Sequence, residues 1–118
     1  MKRRRLTPAQ RKRIHESCNG MCAYCGCELR YEDMQIDHIM PLINGGMDVI
    51  ENMLPACRCC NHRKGSENLE RYRQSVSDFP KVLNRDSVTY RNAVRYGLII
   101  PNPHTIVFHF EKLEGGKE

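Results

Sequence analysis

Four cysteines stand as two C-x-x-C pairs, Cys22/Cys25 and Cys57/Cys60. Two such pairs, each on a tight turn or a helix start, can close a tetrahedron of thiolates. Thiolates suit zinc, which is borderline soft and imposes no d-electron geometry. A four-thiolate site leaves no open position, so its metal is structural: it pins a cysteine-rich turn to a distant helix start. The competing reading is four ordinary buried thiols. Cys18, Cys27 and Cys59 are left over, and spare thiols that pack or face solvent are the favoured account of them. A shift of register would bring Cys27 or Cys59 into the site. Cys59 and His62 are three apart, but no third ligand stands near them in sequence.

A second set is more scattered: Asp37, His38, Asn52, Asn61 and Lys64. Taken singly each is weak. An Asp-His pair is commonly a surface pair, an Asn beside a turn commonly bonds backbone, and a helical lysine is commonly solvated. The set gains meaning if a hairpin crossed by a helix gathers all five.

The elements that must do this can be read in outline. Thr7 caps a first helix, Pro8 opens it, Gln10 completes a capping box and Gly20 stops it. "MCAYCGCELR" is a tight cysteine-rich turn. "MQIDHIM" alternates as a short strand, "NGG" opens a loop up to Asn52, and "MLPA" is the second strand of a hairpin. A short helix is expected from near Cys57 through Lys64, ended by Gly65. Beyond it, Leu69, Tyr72, Val76 and Phe79 recur at helical spacing up to the interruption at Pro80. Asp86 is expected to cap a further helix with Tyr90, Ala93 and Val94 facing inward and Gly97 stopping it. "LII", "PNPH" and "TIVFHF" read as a closing hairpin with Ile106, Phe108 and Phe110 on one face. The fold class is therefore α+β: a small zinc-braced core of two strands and a short helix, with a flanking N-terminal helix and a C-terminal helix plus β-hairpin. All of 1–118 is read as one domain. It comprises a basic arm and helix (1–19), the core (20–66), a helical and hairpin extension (67–113) and a mobile tail (114–118).

The stretch "DHIMPLINGGMDVIENMLPACRCCNHRKG" resembles the core of the HNH endonucleases, the ββα-metal nucleases. The resemblance rests on Asp-His, a following Pro, a Gly-Gly loop, an Asn before an apolar strand, and then C-x-x-C-Asn-x-x-Lys. The upstream Cys22/Cys25 pair is similar to the zinc-containing branch. The match covers about residues 20 to 66, a little under half of the chain. Asn61, not His, follows Cys60, as in the H-N-N form of the motif. The resemblance implies metal-dependent endonuclease activity on DNA. His38 is then the general base, since histidine titrates near neutrality. Asp37 and Asn61 offer hard oxygen ligands to Mg²⁺ or Mn²⁺. Asn52 holds the loop that aims His38, and Lys64 supplies a positive charge to a phosphate. Adjacent helical residues point about 100° apart, so Asn61 and His62 do not both face the site. The register after Cys60 selects Asn61.

Charge supports the same partner. Lys2, Arg3, Arg4, Arg5, Arg11, Lys12 and Arg13 all precede the first acid, Glu16, leaving 12 basic against 14 acidic residues in the rest of the chain. An arm of this kind suits DNA phosphates; the plain alternative is a solubilising tail. Arg58, Arg63, Arg71 and Arg73 are further candidate phosphate contacts. No stretch has the apolar length of a membrane span, and the basic N-terminus is not followed by the apolar run of a secretory signal. Seven cysteines, partly as C-x-x-C pairs, fit reduced thiolates in the cytoplasm better than disulfides. The rival function is a non-catalytic zinc-braced nucleic-acid-binding module, which needs the cysteines and the arm but not Asp37, His38 and Asn61 together. A zinc-stabilised protein-interaction domain explains neither the arm nor the Asp-His pair.

Overall fold

The computed structural model describes residues 5–115. Lys2, Arg3 and Arg4 of the basic arm, and residues 116–118 of the tail, lie outside the described residues. The described residues divide into two compact units, one running up to Leu69 and resuming at Val107, the other spanning Glu70–Ile106. The extension expected over 67–113 is shared between them.

The first unit begins with helix α1, Pro8–Ser17. Its start is the expected capping box: the Gln10 amide donates to Thr7 Oγ1 (3.1 Å), and the Thr7 amide donates to Gln10 Oε1 (2.9 Å). Strands β1 (Gln35–His38) and β2 (Met53–Ala56) pair antiparallel, with Asp37 opposite Leu54 and His38 opposite Met53. Pro55 is tolerated because a two-stranded sheet has only edges, and its carbonyl accepts from the Ala23 amide at 2.8 Å. That bond docks the cysteine-rich turn onto the hairpin. Helix α2, Arg58–Lys64, starts at Cys57 and stops at Gly65, as its sequence implies. Ile14, Leu29, Met34 and Met53 form the core, with Leu6, Ile36, Ile50 and Cys57 packed against it. Burial of four such side chains contributes roughly 1.5–3 kcal/mol each, a modest total that gives a metal clamp something to add.

The chain beyond α2 departs from the sequence reading in several places. Helices α3 (Leu69–Ser77), α4 (Phe79–Asp86) and α5 (Val88–Arg95) follow. Pro80 sits in the first turn of α4, where its missing N–H costs nothing, so it opens a helix rather than merely interrupting one. Phe79 accordingly belongs to α4 and not to the stripe of α3, where Tyr72 is the buried residue. Asp86 closes α4, and Ser87 is the cap of α5, its Oγ accepting from the Tyr90 amide at 3.1 Å.

The closing hairpin does not form: residues 99–108 contain no strand, and helix α6 spans His109–Gly115. Pro101 and Pro103 lack the N–H donors that a ladder requires. The His109 and Phe110 amides donate instead to Tyr24 O (3.1 Å) and Ala23 O (2.8 Å) in the cysteine-rich turn. Glu114 and Gly115, expected to begin a mobile tail, are the last residues of α6. Among the described residues no helix is long and apolar enough to cross a membrane.

Candidate active site and cysteine cluster

The cysteine-rich turn and the start of α2 meet at their sulfurs. One Sγ from each of Cys22, Cys25, Cys57 and Cys60 lies within 4.8 Å of the others, and Cys25 Sγ is 3.9 Å from Cys57 Sγ. Four Zn–S bonds of about 2.3 Å require this kind of spacing, so the donor set fits a tetrahedral metal. Backbone amides stabilise the thiolates: Cys57 N–H donates to Cys22 Sγ (3.3 Å), and Cys60 N–H donates to Cys57 Sγ (3.4 Å). A hydrogen bond from Cys60, helped by the Cys57 amide and opposed by burial, holds the Cys22 thiol down to about 4 from an ordinary 9.0. Cys18 is buried, whereas Cys27 and Cys59 are exposed, and none of the three belongs to the cluster.

A second site lies along the other side of α2. Asp37, His38 and Asn61 line one cleft of about 680 Å³, together with Pro41, Leu42, Ile43, Gly65 and Ser66. The two strand residues come from the end of β1, where the chain leaves the hairpin for its long loop. Asn61 comes from α2, one residue past the last cluster cysteine. His62 is exposed and is not among the residues lining the cleft.

Asn52 staples the loop between the strands. Its Nδ2 donates to Met40 O and Met47 O, and its Oδ1 accepts from the Met40 amide, each at 2.9 Å. The Gly-Gly turn is sterically required here. A Cβ on Gly46 would lie 1.9 Å from Met40 O, and Gly45 has φ +90°.

Lys64 departs from its expected role as a phosphate contact. Its side chain is fully buried, with Nζ 3.2 Å from Asp37 Oδ2 and 3.0 Å from the His38 carbonyl oxygen, to which it donates. An enclosed ammonium with these partners braces Asp37 and the end of β1, and Lys64 is not among the residues that line the cleft. Asp37 is also buried and accepts a hydrogen bond from Tyr24 OH. A carboxylate presents about four lone-pair directions, so Tyr24 and Lys64 leave it capacity for a cation. With the Asn61 amide this makes a hard oxygen set of the kind that suits Mg²⁺ or Mn²⁺. Because Lys64 already balances one negative charge, such a cation would be held weakly without a phosphate to share it.

Two residues of the site were not singled out from the sequence. Tyr24 lies between two cluster cysteines. In the fold Phe108 and Phe110 flank its ring edge-on, at centroid distances of 5.1 and 6.1 Å. The C-terminal segment thus positions a partner of Asp37. Asp48 sits in the loop, and its Oδ1 lies 2.9 Å from His38 Nε2. The only sequence signal for it was an acid placed between the Gly-Gly turn and Asn52.

The basic residues behave unequally. Arg5, Lys12 and Arg13 are exposed, and Lys12 has Glu16 at 3.9 Å. Arg11 is partly buried: it donates to Met34 O at 3.4 Å and lies 5.7 Å from the centre of the Tyr31 ring. Arg73 pairs with Glu70 and donates to Ile106 O at 2.7 Å, so its guanidinium is committed within the second unit. Arg58, Arg63 and Arg71 are exposed.

Residues 22–67 match the family model described as HNH endonuclease. Over 49 residues the chain is 37% identical to the CRISPR-associated endonuclease Cas9 of Corynebacterium diphtheriae, covering 41% of this chain and 4% of that protein. Over 57 residues it is 35% identical to the Septu protein PtuB of Bacillus thuringiensis, covering 45% of this chain and 22% of that one. Among solved structures, the Type II-C Cas9 enzyme from Actinomyces naeslundii superimposes with a TM-score of 0.54 at 26% identity. That match covers 64% of this chain and 8% of the other. The chain therefore spans less than a quarter of each of these relatives.

Proposed function

From the match of residues 22–67 to the HNH endonucleases, we propose that this protein is a metal-dependent nuclease that hydrolyses phosphodiester bonds of DNA. The observation that carries the proposal is the convergence of Asp37, His38 and Asn61 on one open cleft, apart from the closed cysteine cluster. His38 removes a proton from the attacking water. Asn52 holds the loop over that histidine through its three bonds to Met40 and Met47. Asp37 and Asn61 hold the divalent cation, Mg²⁺ or Mn²⁺, with Lys64 and Tyr24 fixing the carboxylate. When bound, that cation neutralises charge on the scissile phosphate and stabilises the departing 3′ oxygen, giving 5′-phosphate and 3′-hydroxyl ends. The metal of Cys22, Cys25, Cys57 and Cys60 is zinc and is structural, and reduced thiolates of this kind suit the cytoplasm. Arg5, Lys12 and Arg13 contact DNA phosphates without reading sequence. A non-catalytic binding module would use the cysteines and the arm but has no use for the cleft.

The test is digestion of supercoiled plasmid with a panel of divalent metals, wild type beside His38→Ala. Wild type nicks with Mg²⁺ or Mn²⁺, and the variant loses nicking by at least about 10²-fold while keeping its zinc and fold. Equal cleavage by the two proteins removes His38 as the base.

A further inference from the structure

We propose that Asp48 is a positioning residue that holds His38 as the Nε2–H tautomer, leaving Nδ1 as the proton-accepting atom. The inference rests on the nuclease reading above for its consequence, but on geometry alone for the tautomer. His38 Nε2 and Asp48 Oδ1 are 2.9 Å apart, with side-chain exposures of 5% and 19%. An ionised carboxylate only accepts hydrogen bonds. The proton between the two groups therefore sits on Nε2, and in a neutral imidazole the lone pair is then on Nδ1.

The loop is built to deliver that carboxylate. Asn52 Nδ2 grips Met47 O, the carbonyl immediately before Asp48, and also Met40 O. The Ile39 amide bonds Asn52 O at 2.9 Å, and the Gly46 amide bonds Pro41 O at 2.9 Å. Together these bonds fold residues 40–52 back over the end of β1, so Asp48 reaches His38 from ten positions further along the chain. Asn52 thus aims His38 by way of Met47 and Asp48, with no direct bond of its own to the imidazole required.

In the reaction, one O–H bond of water breaks and its proton passes to Nδ1. The hydroxide oxygen forms the new bond to phosphorus, and the P–O3′ bond breaks with its electron pair remaining on O3′, which takes a proton from solvent water, while the imidazolium later returns its proton to solvent. The imidazolium formed in that step carries its charge beside the Asp48 carboxylate, which lowers its energy as it develops. In this proposal Asp48 acts through His38, by the 2.9 Å contact of its Oδ1 with Nε2.

The experiment uses the full zinc-loaded chain, wild type beside Asp48→Ala, Asp48→Asn and Asp48→Glu, in two measurements. Long-range ¹H–¹⁵N NMR at one fixed pH, with ¹⁵N-labelled histidine and His38→Ala for assignment, reads the tautomer of His38. The wild type gives Nε2–H, and Asp48→Ala gives a mixture. Plasmid nicking in Mg²⁺ gives a kcat lowered about 10²-fold in Asp48→Ala and Asp48→Asn, with KM changed less than about threefold and partial recovery in Asp48→Glu. Zinc content equal to wild type shows that each variant is folded. A wild-type Nδ1–H tautomer overturns the proposal, as does a zinc-replete Asp48→Ala with undiminished kcat. A wild type that cleaves no DNA in any metal overturns the nuclease reading instead, and the NMR result then decides the tautomer on its own.

Discussion

The cysteine cluster and the cleft share one seven-residue helix and present opposite kinds of donor set. In the cluster, four sulfurs face one another within 4.8 Å, and the site closes on itself. In the cleft, Asp37 and Asn61 offer two oxygen donors to an open space of about 680 Å³. The difference lies in what each site leaves vacant: the cluster leaves no position for a substrate, while the cleft leaves most positions to water and phosphate. Helix α2 feeds both because consecutive residues diverge by about 100°, which sends Cys60 to one side and Asn61 to the other. Tyr24 ties the two regions together. It lies between cluster residues Cys22 and Cys25 and donates to Asp37. The cluster is therefore a foundation for the cleft as well as for the fold.

The largest effect should follow from breaking the foundation. Cys22→Ser removes a fully buried ligand that Cys57 N–H also contacts, and should abolish stoichiometric zinc and cooperative thermal unfolding together. Circular dichroism melts with metal analysis check this. A folded, zinc-free and active variant would separate the regions completely.

A smaller effect should come from Lys64→Met, which leaves Asp37 buried without its ammonium partner. Loss of one member of a buried pair destabilises by about 3–5 kcal/mol, so denaturant unfolding should shift by that order while zinc stays bound. Little change in stability, with weakened DNA affinity instead, would restore Lys64 to the phosphate.

The smallest effect belongs to the exposed charges. Replacing Lys12 and Arg13 by serine should flatten the salt dependence of DNA binding, by roughly 0.9 in slope for each phosphate no longer neutralised. The rate on bound substrate should not change. An unchanged slope would make this face of α1 a solubility feature.

What could be read from the sequence was what is local. The capping box at Thr7, the strand at 35–38, the strand at 53–56 and the start of α2 at Cys57 depend on neighbours a few residues apart. The C-x-x-C pairs were legible because their geometry is set by spacing. What failed depended on long-range packing. Burial of Lys64 could not be inferred from its position one turn after Cys60, since the enclosing Asp37 carboxylate and His38 carbonyl come from a distant strand. The contact of Asp48 with His38 required the fold of the intervening loop. The alternating residues at 106–110 looked like a strand, but the His109 and Phe110 amides are taken by Tyr24 and Ala23.

The proposal that one cation belongs to the fold and a different one to the reaction is tested most directly by metal analysis joined to activity. Protein purified without chelator is dialysed against a weak chelator, analysed for zinc, and then assayed on plasmid before and after Mg²⁺ or Mn²⁺ is added. The expected result is about one zinc retained per chain, no nicking before the addition and full nicking after it. Nicking that tracks the retained zinc and ignores added Mg²⁺ or Mn²⁺ would contradict the division into two metals.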